Sequence, residues 1–439
     1  MIYKDLRHFK RAEPLQTVQD ESDSMADLYA YFMERSVRLL RERGRFSFIV
    51  SSSFLRTTYG EPLRRTLKKH GAVLRLLDFG GLPVFAKAKD TYVCIPLIAK
   101  CEQPARVEVG RVPSLQVQDL DSFAAENVYT VPHLRLAAEA WALTSDEEEA
   151  VFRSIQRAGK PLGEYVERRF FRGLLTGLNE AFTLTKAQRL AIIRQHRDSS
   201  SLVKPFLGGQ DIRRYHIEDD GNYLIAIPAG WTRTEMGKEK KNLTRPTERD
   251  AWSWFSRAHP SIAAHLEPFA EPCKVRQDKG DYWWELRPCD YYSSFERPKI
   301  IFPDICKGPR FFLDRSGIYL ANTSYCLGVD DSYLLGILNS QLFWFAISKI
   351  SIPFGIRAGK YRYRLIYQYM EKVPIRVIDP KSKADKAKHD KMVGLVETML
   401  KLHKDLPKAK TPHEQESIQR QIAATGQQID ALVYELHGP

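Results

Sequence analysis

The periodicity of the apolar residues changes once along this 439-residue chain, near residue 160, and no other feature constrains the fold as much. Before that point helical and strand-like stretches alternate. Leu28, Tyr31, Phe32, Arg35, Leu39 and Leu40 follow near-helical spacing behind Asp27, a residue suited to an N-cap. Gly44 ends that run, and Arg45–Ser51 reads as a buried strand. "GEPLRRTLKKHG" predicts a second helix, with Pro62 in its first turn and Gly71 beyond its end. "AVLRLLDFG" and "TYVCIPLIAK" predict further strands around the loop "GLPVFAKAKD". The order helix, strand, helix, strand, loop, strand is that of the second half of a doubly wound α/β sheet. Three strands are few for such a sheet, and no strand–glycine-rich loop–helix opens the chain, so a small α+β domain is the alternative.

Beyond residue 160 helical spacing fades. Short β-like runs such as "GNYLIAIP", "KIIFPDI" and "RFFLDRSGIYLANTSYCLG" alternate with Gly, Pro and Asp turns. Six of the seven tryptophans fall here, which assigns "DYWWELRPCDYYSSF" to a core. After Pro380, Met392, Leu395, Val396, Met399 and Leu402, then Ile418, Ile422, Ile429, Leu432, Val433 and Leu436, predict an antiparallel helical hairpin with one apolar seam. The expected organisation is an α/β part over 1–125, a connector over 126–160, an α+β domain over 161–380, and the hairpin over 381–439.

Lys and Arg outnumber Asp and Glu by 67 to 54, a net charge of +13 that suits a polyanionic partner. No apolar run reaches the roughly 18 residues of a membrane span, and the charged N-terminus lacks a signal-peptide core. The six cysteines are scattered without a C-x-x-C or Cys/His cluster, which argues against a zinc site and fits free thiols in a reducing cytoplasm. G-x-G-x-x-G, the Walker loop, G-x-S-x-G and H-E-x-x-H are absent. "FPDICK" looks superficially like a nuclease Pro-Asp, but no convincing second carboxylate and lysine accompany it.

Four stretches hold the candidate site residues. "GLPVFAKAKDTYVC" puts Phe85 at a strand–strand corner with Lys87 and Lys89 behind it. An enzyme acting on a base must rotate it out of the duplex and hold it by stacking, which an exposed Phe beside phosphate-reaching lysines could do. The alternative is a Phe that plugs the end of the sheet. "FRGLLTGLNEAF" sets Thr176 and Asn179 in a glycine-bearing turn that could admit a phosphate strand, with Asn179 either a base-edge reader or a turn former. "KPFLGGQDIRRYH" offers Lys204, Arg213 and Arg214 around a double glycine. In "SIPFGIRAGKYRYRL", Arg357, Lys360, Arg362 and Arg364 interleave with Tyr361 and Tyr363 and no acid intervenes, a pattern suited to phosphate contact with stacking. If that run is a strand, Arg362 and Arg364 share a face.

Taken in order, these stretches resemble the γ-class N6-adenine DNA methyltransferases, the TaqI-like enzymes and the fused Eco57I-like type IIG restriction–modification proteins. "DLYAYFMERSVRLLRERGRFSFIVSSSFLRTTYGEPLR" is similar to the segment after that family's catalytic Asn-Pro-Pro-Tyr loop. "LDFGGLPVFAKAKDTYVCIPLIAK" is similar to the motif whose aromatic, Phe85 here, stacks on the extruded adenine. "LLTGLNEAF", "VKPFLGGQDIRRY", "KIIFPDI", "YCLGVDDSYLLGILNSQLFWF" and "IDALVYELHGP" are similar to the family's C-terminal specificity domain. The resemblance implies a partial Rossmann-like methyltransferase sheet over 1–125 and a target-recognition domain over 161–380 that clamps double-stranded DNA. It also implies S-adenosylmethionine as cofactor of the complete enzyme. The glycine loop for that cofactor and Asn-Pro-Pro-Tyr are absent, and Met1 falls where the residues after the latter would begin. The expectation is a C-terminal part that binds no cofactor and is inactive without a complementary N-terminal polypeptide, with or without a nuclease. A standalone DNA specificity module and an RNA-modifying fragment are the alternatives.

Overall fold

The computed structural model describes residues 27–437, apart from 56, 58–59, 86–91, 117–118, 139–140, 142, 240–245, 352 and 358–359, and apart from the side chains of 353–357 and 360. The chain divides into two compact units, residues up to 154 together with 352–363, and residues 155–351 together with 364 onward. Among the described residues no helix is long and apolar enough to cross a membrane.

The first unit runs α1 (Leu28–Leu39), β1 (Arg45–Ser47), β2 (Val50–Ser51), α2 (Glu61–His70), β3 (Ala72–Asp78), β4 (Val93–Ala99), β5 (Arg106–Arg111), α3 (Leu120–Asn127) and β6 (Val128–Pro132). The sheet order is β1-β4-β3-β5-β6, with β2 also on β4. Only β3 and β5 are parallel; the other pairs are antiparallel. β3 turns straight back into β4 without a helical crossover, so these two run antiparallel, while β1 and β3, both antiparallel to β4, run the same way on either side of it and are joined through α2. Two further strands follow β4: β5 within the expected α/β part and β6 within the expected connector. The reading of Arg45–Ser51 as one buried strand is corrected. It breaks at Phe48 and Ile49, which are 38% and 45% exposed, and β1 has β4 as its one neighbour in the sheet order.

Met33 and Val37 of α1, Leu63 and Leu67 of α2, and Val73, Leu76, Ile98, Val107 and Val131 of the sheet make the core, closed by Phe54 and Trp141. Arg64 is fully buried among them. Its guanidinium donates to the carbonyls of Ala138 at 2.6 Å, Thr57 at 3.0 Å and Phe54, the hydrogen bonding that a buried charge requires. On the other side of α1, Leu28, Phe32 and Leu39 are exposed.

The second unit holds two four-stranded sheets. The strands of these two sheets are β7 (Phe170–Arg172), β8 (Thr183–Leu184), β9 (Val203–Leu207), β10 (Tyr223–Ile225), β11 (Lys299–Pro303), β12 (Phe312–Asp314), β13 (Tyr319–Leu320) and β14 (Ser324–Leu327). One sheet has the order β12-β11-β14-β7 and is antiparallel; the other has the order β13-β9-β10-β8, with β9 and β13 parallel. Between β10 and β11 the chain forms α4 (Trp231–Glu239) and α5 (Glu248–Ala258). The aromatic-rich stretch is core: Trp283 and Trp284 are buried, and Trp284 stacks on Tyr282 at 4.7 Å. Glu285, fully buried beside them, accepts from the amides of Gly230, Thr232 and Asp281 at 2.9–3.0 Å and so fixes the entry to α4. Lys299 and Asp314 form a fully buried ion pair at 2.5 Å across β11 and β12. Ser316 and Ile318 amides complete the Asp314 carboxylate. Helices α6 (Lys383–Asp405) and α7 (Pro412–His437) pack together through Met392, Val396, Met399, Ile429 and Val433.

Candidate nucleic-acid interface

In the first unit the loop leaving β3 is a tightly bonded corner. The Asp78 carboxylate accepts from the Gly80 amide at 2.8 Å, and the Gly80 carbonyl accepts from Val93 at 3.3 Å. Leu82 and Val84 donate back to Phe79 and Leu82, and their side chains pack on Leu77, Phe79, Val93 and Val112. Phe79, 7% exposed, is the aromatic that fills the end of the sheet; Phe85 lies 41% exposed on the loop. Lys87 and Lys89 lie outside the described residues.

A hairpin of strands Pro353–Arg357 and Lys360–Arg364 belongs to the same unit through residue 363. Pro353 pairs with Tyr363, Ile356 with Tyr361 and Arg357 with Lys360. Strand alternation sets Arg362 and Arg364 on one face and Tyr361 and Tyr363 on the other. The tyrosine face is packed: Tyr361 stacks on Tyr92 with centroids 5.4 Å apart and on Tyr363 at 6.3 Å. The Tyr361 hydroxyl stands 2.1 Å from where a Cβ on Gly80 would be. With φ at +54°, position 80 needs glycine for conformation and for space alike. Arg362 and Arg364 are half-buried, and the side chains of Arg357 and Lys360 lie outside the described ones.

In the second unit Thr176 is buried and donates to Asn179 Oδ1 at 2.6 Å, across Gly177 at φ +71°. Its carbonyl accepts from Arg276, whose guanidinium covers the Phe182 ring at 4.2 Å. Asn179 itself is exposed at the start of a short helix. Lys204 pairs with Glu296 at 2.8 Å, a contact that holds the Glu296 carboxyl below its usual range. Arg213 pairs with Glu218, and Arg214 stands 3.8 Å from Asp430 with the Tyr215 ring at 5.5 Å. Each of these three cations thus faces an acid. Exposed pairs of this kind are worth only about 0–1 kcal/mol, so a phosphate can displace the acid at little cost.

The sequence reading missed Tyr92 and Tyr361 as a pair, because stacking between residues so far apart leaves no local signal. It also passed over Arg168, Arg169 and Arg172, although three arginines in five residues were a readable one.

S-adenosylmethionine, implied by the resemblance, needs a glycine cradle at a strand end. Gly60 is closed by the Phe54 backbone, 2.4 Å from a would-be Cβ, and Gly80 by the Tyr361 hydroxyl. Among the described residues no group of three or more His, Cys, Asp or Glu could hold a metal ion.

Residues 3–85 match the family described as Eco57I restriction-modification methylase, and residues 204–375 the TaqI-like C-terminal specificity domain. Type II methyltransferase M.PaeR7I of Pseudomonas aeruginosa is 27% identical over 384 residues, covering 82% of this chain and 59% of that protein. M.XhoI of Xanthomonas vasicola is 21% identical over 322 residues, covering 70% and 54%. The chain thus spans a little over half the length of these relatives. Among solved structures, the type IIL restriction–modification enzyme MmeI in complex with DNA has a TM-score of 0.56 at 12% identity, covering 97% of this chain and 51% of that one, a likeness of fold. With a methylase match in one unit, a specificity-domain match reaching through the other, and methyltransferases alignable over most of its length, the chain belongs to the Eco57I- and TaqI-like restriction–modification methyltransferases.

Proposed function

We propose that this chain supplies the base-holding and DNA-reading elements of a site-specific adenine-N6 DNA methyltransferase. One observation carries the reading: Phe79 fills the sheet end and leaves Phe85 exposed on a braced loop, free to stack on a base rotated out of the duplex. Lys87 and Lys89, which follow it in the sequence, supply charge for the flanking phosphates. Residues 1–125 form the methyltransferase part, 161–380 the target-recognition domain and 381–439 a supporting helical hairpin. Asn179, Lys204, Arg213, Arg214, Arg357, Lys360, Arg362 and Arg364 contact double-stranded DNA, and buried Thr176 holds Asn179 in place for it. The MmeI structure, determined with DNA, supports such a partner for this fold.

The sequence has no Asn-Pro-Pro-Tyr. Methyl transfer and S-adenosylmethionine binding therefore fall to a complementary polypeptide, for which exposed Leu28, Phe32 and Leu39 of α1 are the apolar surface to pack against. All six cysteines are free thiols, in keeping with a cytoplasmic protein.

Fluorescence anisotropy with labelled duplex DNA, competed by unlabelled duplex or by RNA, tests the partner. Calorimetric titration with S-adenosylmethionine tests the division of labour. The expected result is displacement by duplex DNA, weak displacement by RNA, and no cofactor heat. Preferential displacement by RNA, or micromolar cofactor binding by the chain alone, would overturn the reading.

A further inference from the structure

The segment Glu167–Arg172, which precedes both the glycine-bearing turn at 176 and the specificity-domain match, carries three exposed arginines to which nothing above gives a role. Its backbone is unusual. Glu167 and Arg168 both lie in the left-handed region, at φ +53° and +58°, the only consecutive pair of non-glycine residues there among those described. L-residues enter that region at about 1–2 kcal/mol each, so the surrounding structure must impose it. It does so through the Arg168 amide bonded to Gly163 at 2.8 Å and the Arg169 amide bonded to Val166 at 3.0 Å. The reversal delivers the chain into β7, the edge strand of its sheet, with Arg168, Arg169 and Arg172 all outward.

Neighbouring groups show where this edge lies. Phe170 packs edge to face on Tyr367 at 5.2 Å, and the Arg168 charge acts on the same tyrosine. Arg172 covers Tyr325 across the β7–β14 pair at 5.9 Å. Asp304 is half-buried, and burial raises its pKa while Arg364 and Arg172 both pull it back. The edge therefore runs along residues 364–367, with Arg172 sharing Asp304 with Arg364, the last cation of the basic hairpin run. On its other side a cleft of about 650 Å³ is lined by Tyr165, Arg169, Phe171 and Arg297 with Asp330 and Asp331.

The acids nearby are largely committed. Asp330 pairs with Arg315 at 2.9 Å, and Asp331 accepts from Tyr165 and caps the Leu334 amide. Glu167 lies 3.3 Å from Arg169 and is 77% exposed, so it is easily displaced. Arg168, Arg172 and Arg297 make no ion pair among the described residues. Four guanidinium groups thus line one edge and the cleft beside it, continuous with Arg364.

We propose that Arg168, Arg169, Arg172 and Arg297, together with Arg364, which shares Asp304 with Arg172, form a track for the phosphates of one DNA strand. The inference rests on the DNA-reading function above and adds a contact that fixes position without reading sequence. The test is the salt dependence of duplex binding by the full chain, by Arg168→Gln/Arg169→Gln/Arg172→Gln, and by the matching triple Arg→Lys variant. Each phosphate contact contributes about 0.9 to the slope of log K against log salt, so the Gln variant should lose about two to three from the slope magnitude. Its preference between duplexes of different sequence should not change. The Lys variant, which keeps the charge, should retain most of the slope. A Gln variant with the wild-type slope overturns the track, and so does a Lys variant that loses as much as the Gln variant. A wild-type chain that binds no duplex overturns the functional reading itself, which distinguishes the two failures.

Discussion

Phe85 and Phe79 sit six residues apart on one loop and have opposite fates, and local bonding decides which is which. Phe79 is drawn into the sheet end by its amide bond to Val93, whereas Phe85 follows Val84, the last residue of the corner packed on the small core. An exposed aromatic contributes little to folding, so Phe85→Ala should leave the melting temperature unchanged. Stacking on an unpaired base is worth about 1–3 kcal/mol, so the same change should weaken binding to a duplex with an unpaired adenine about tenfold or more. Equal affinity of the two proteins for that duplex, in an anisotropy titration, would remove Phe85 from the base pocket. His403 makes a second residue-scale prediction. It stacks on His216 at 4.4 Å, and burial first, then His216 and Arg214, lower its pKa to about 4. The unfolded chain takes up this proton near pH 6.5 and the folded chain does not. Stability should therefore fall as pH drops from 6.5 towards 4, by about 1 kcal/mol once screening at this partly exposed group is allowed for. Thermal melts of wild type and His403→Gln should diverge at neutral pH and converge near pH 4.5; parallel curves would contradict it.

Among the elements, the hairpin and the β3–β4 loop depend on each other. Tyr361 fills the space over Gly80 and stacks on Tyr92, so it braces the corner that carries Phe85. Tyr361→Ala should speed hydrogen exchange at the amides of Leu82, Val84 and Val93 at least tenfold, while the α6–α7 amides stay unchanged. Unaltered exchange in the loop would mean that the corner holds its shape alone. Helices α1, α2, α6 and α7 were legible because 3.6-residue spacing, Pro62 and Gly71 are local signals. Strand direction was not: whether β4 runs with or against β3 is settled by long-range pairing, to which an apolar run is blind. In β5, "RVEVGR" alternates too briefly to show by itself that it pairs in parallel with β3. The candidate cations were legible as residue types, but their partners Glu296, Glu218 and Asp430 were not, because tertiary contacts bring them there.

For the whole molecule, the net charge of +13 gains meaning only from where the cations lie. In the second unit Arg172 of the β7 edge shares Asp304 with Arg364, and Lys204, Arg213 and Arg214 hold acids that a phosphate can replace. Duplex binding should therefore be strongly electrostatic. The most direct test is a titration of labelled duplex DNA with the wild-type chain and with Arg357→Ala/Lys360→Ala over about 50–200 mM salt. The account predicts a steep linear fall of log K with log salt for the wild type, and a slope about two units shallower for the variant. A wild-type affinity indifferent to salt, or absent at the lowest concentration, would contradict it.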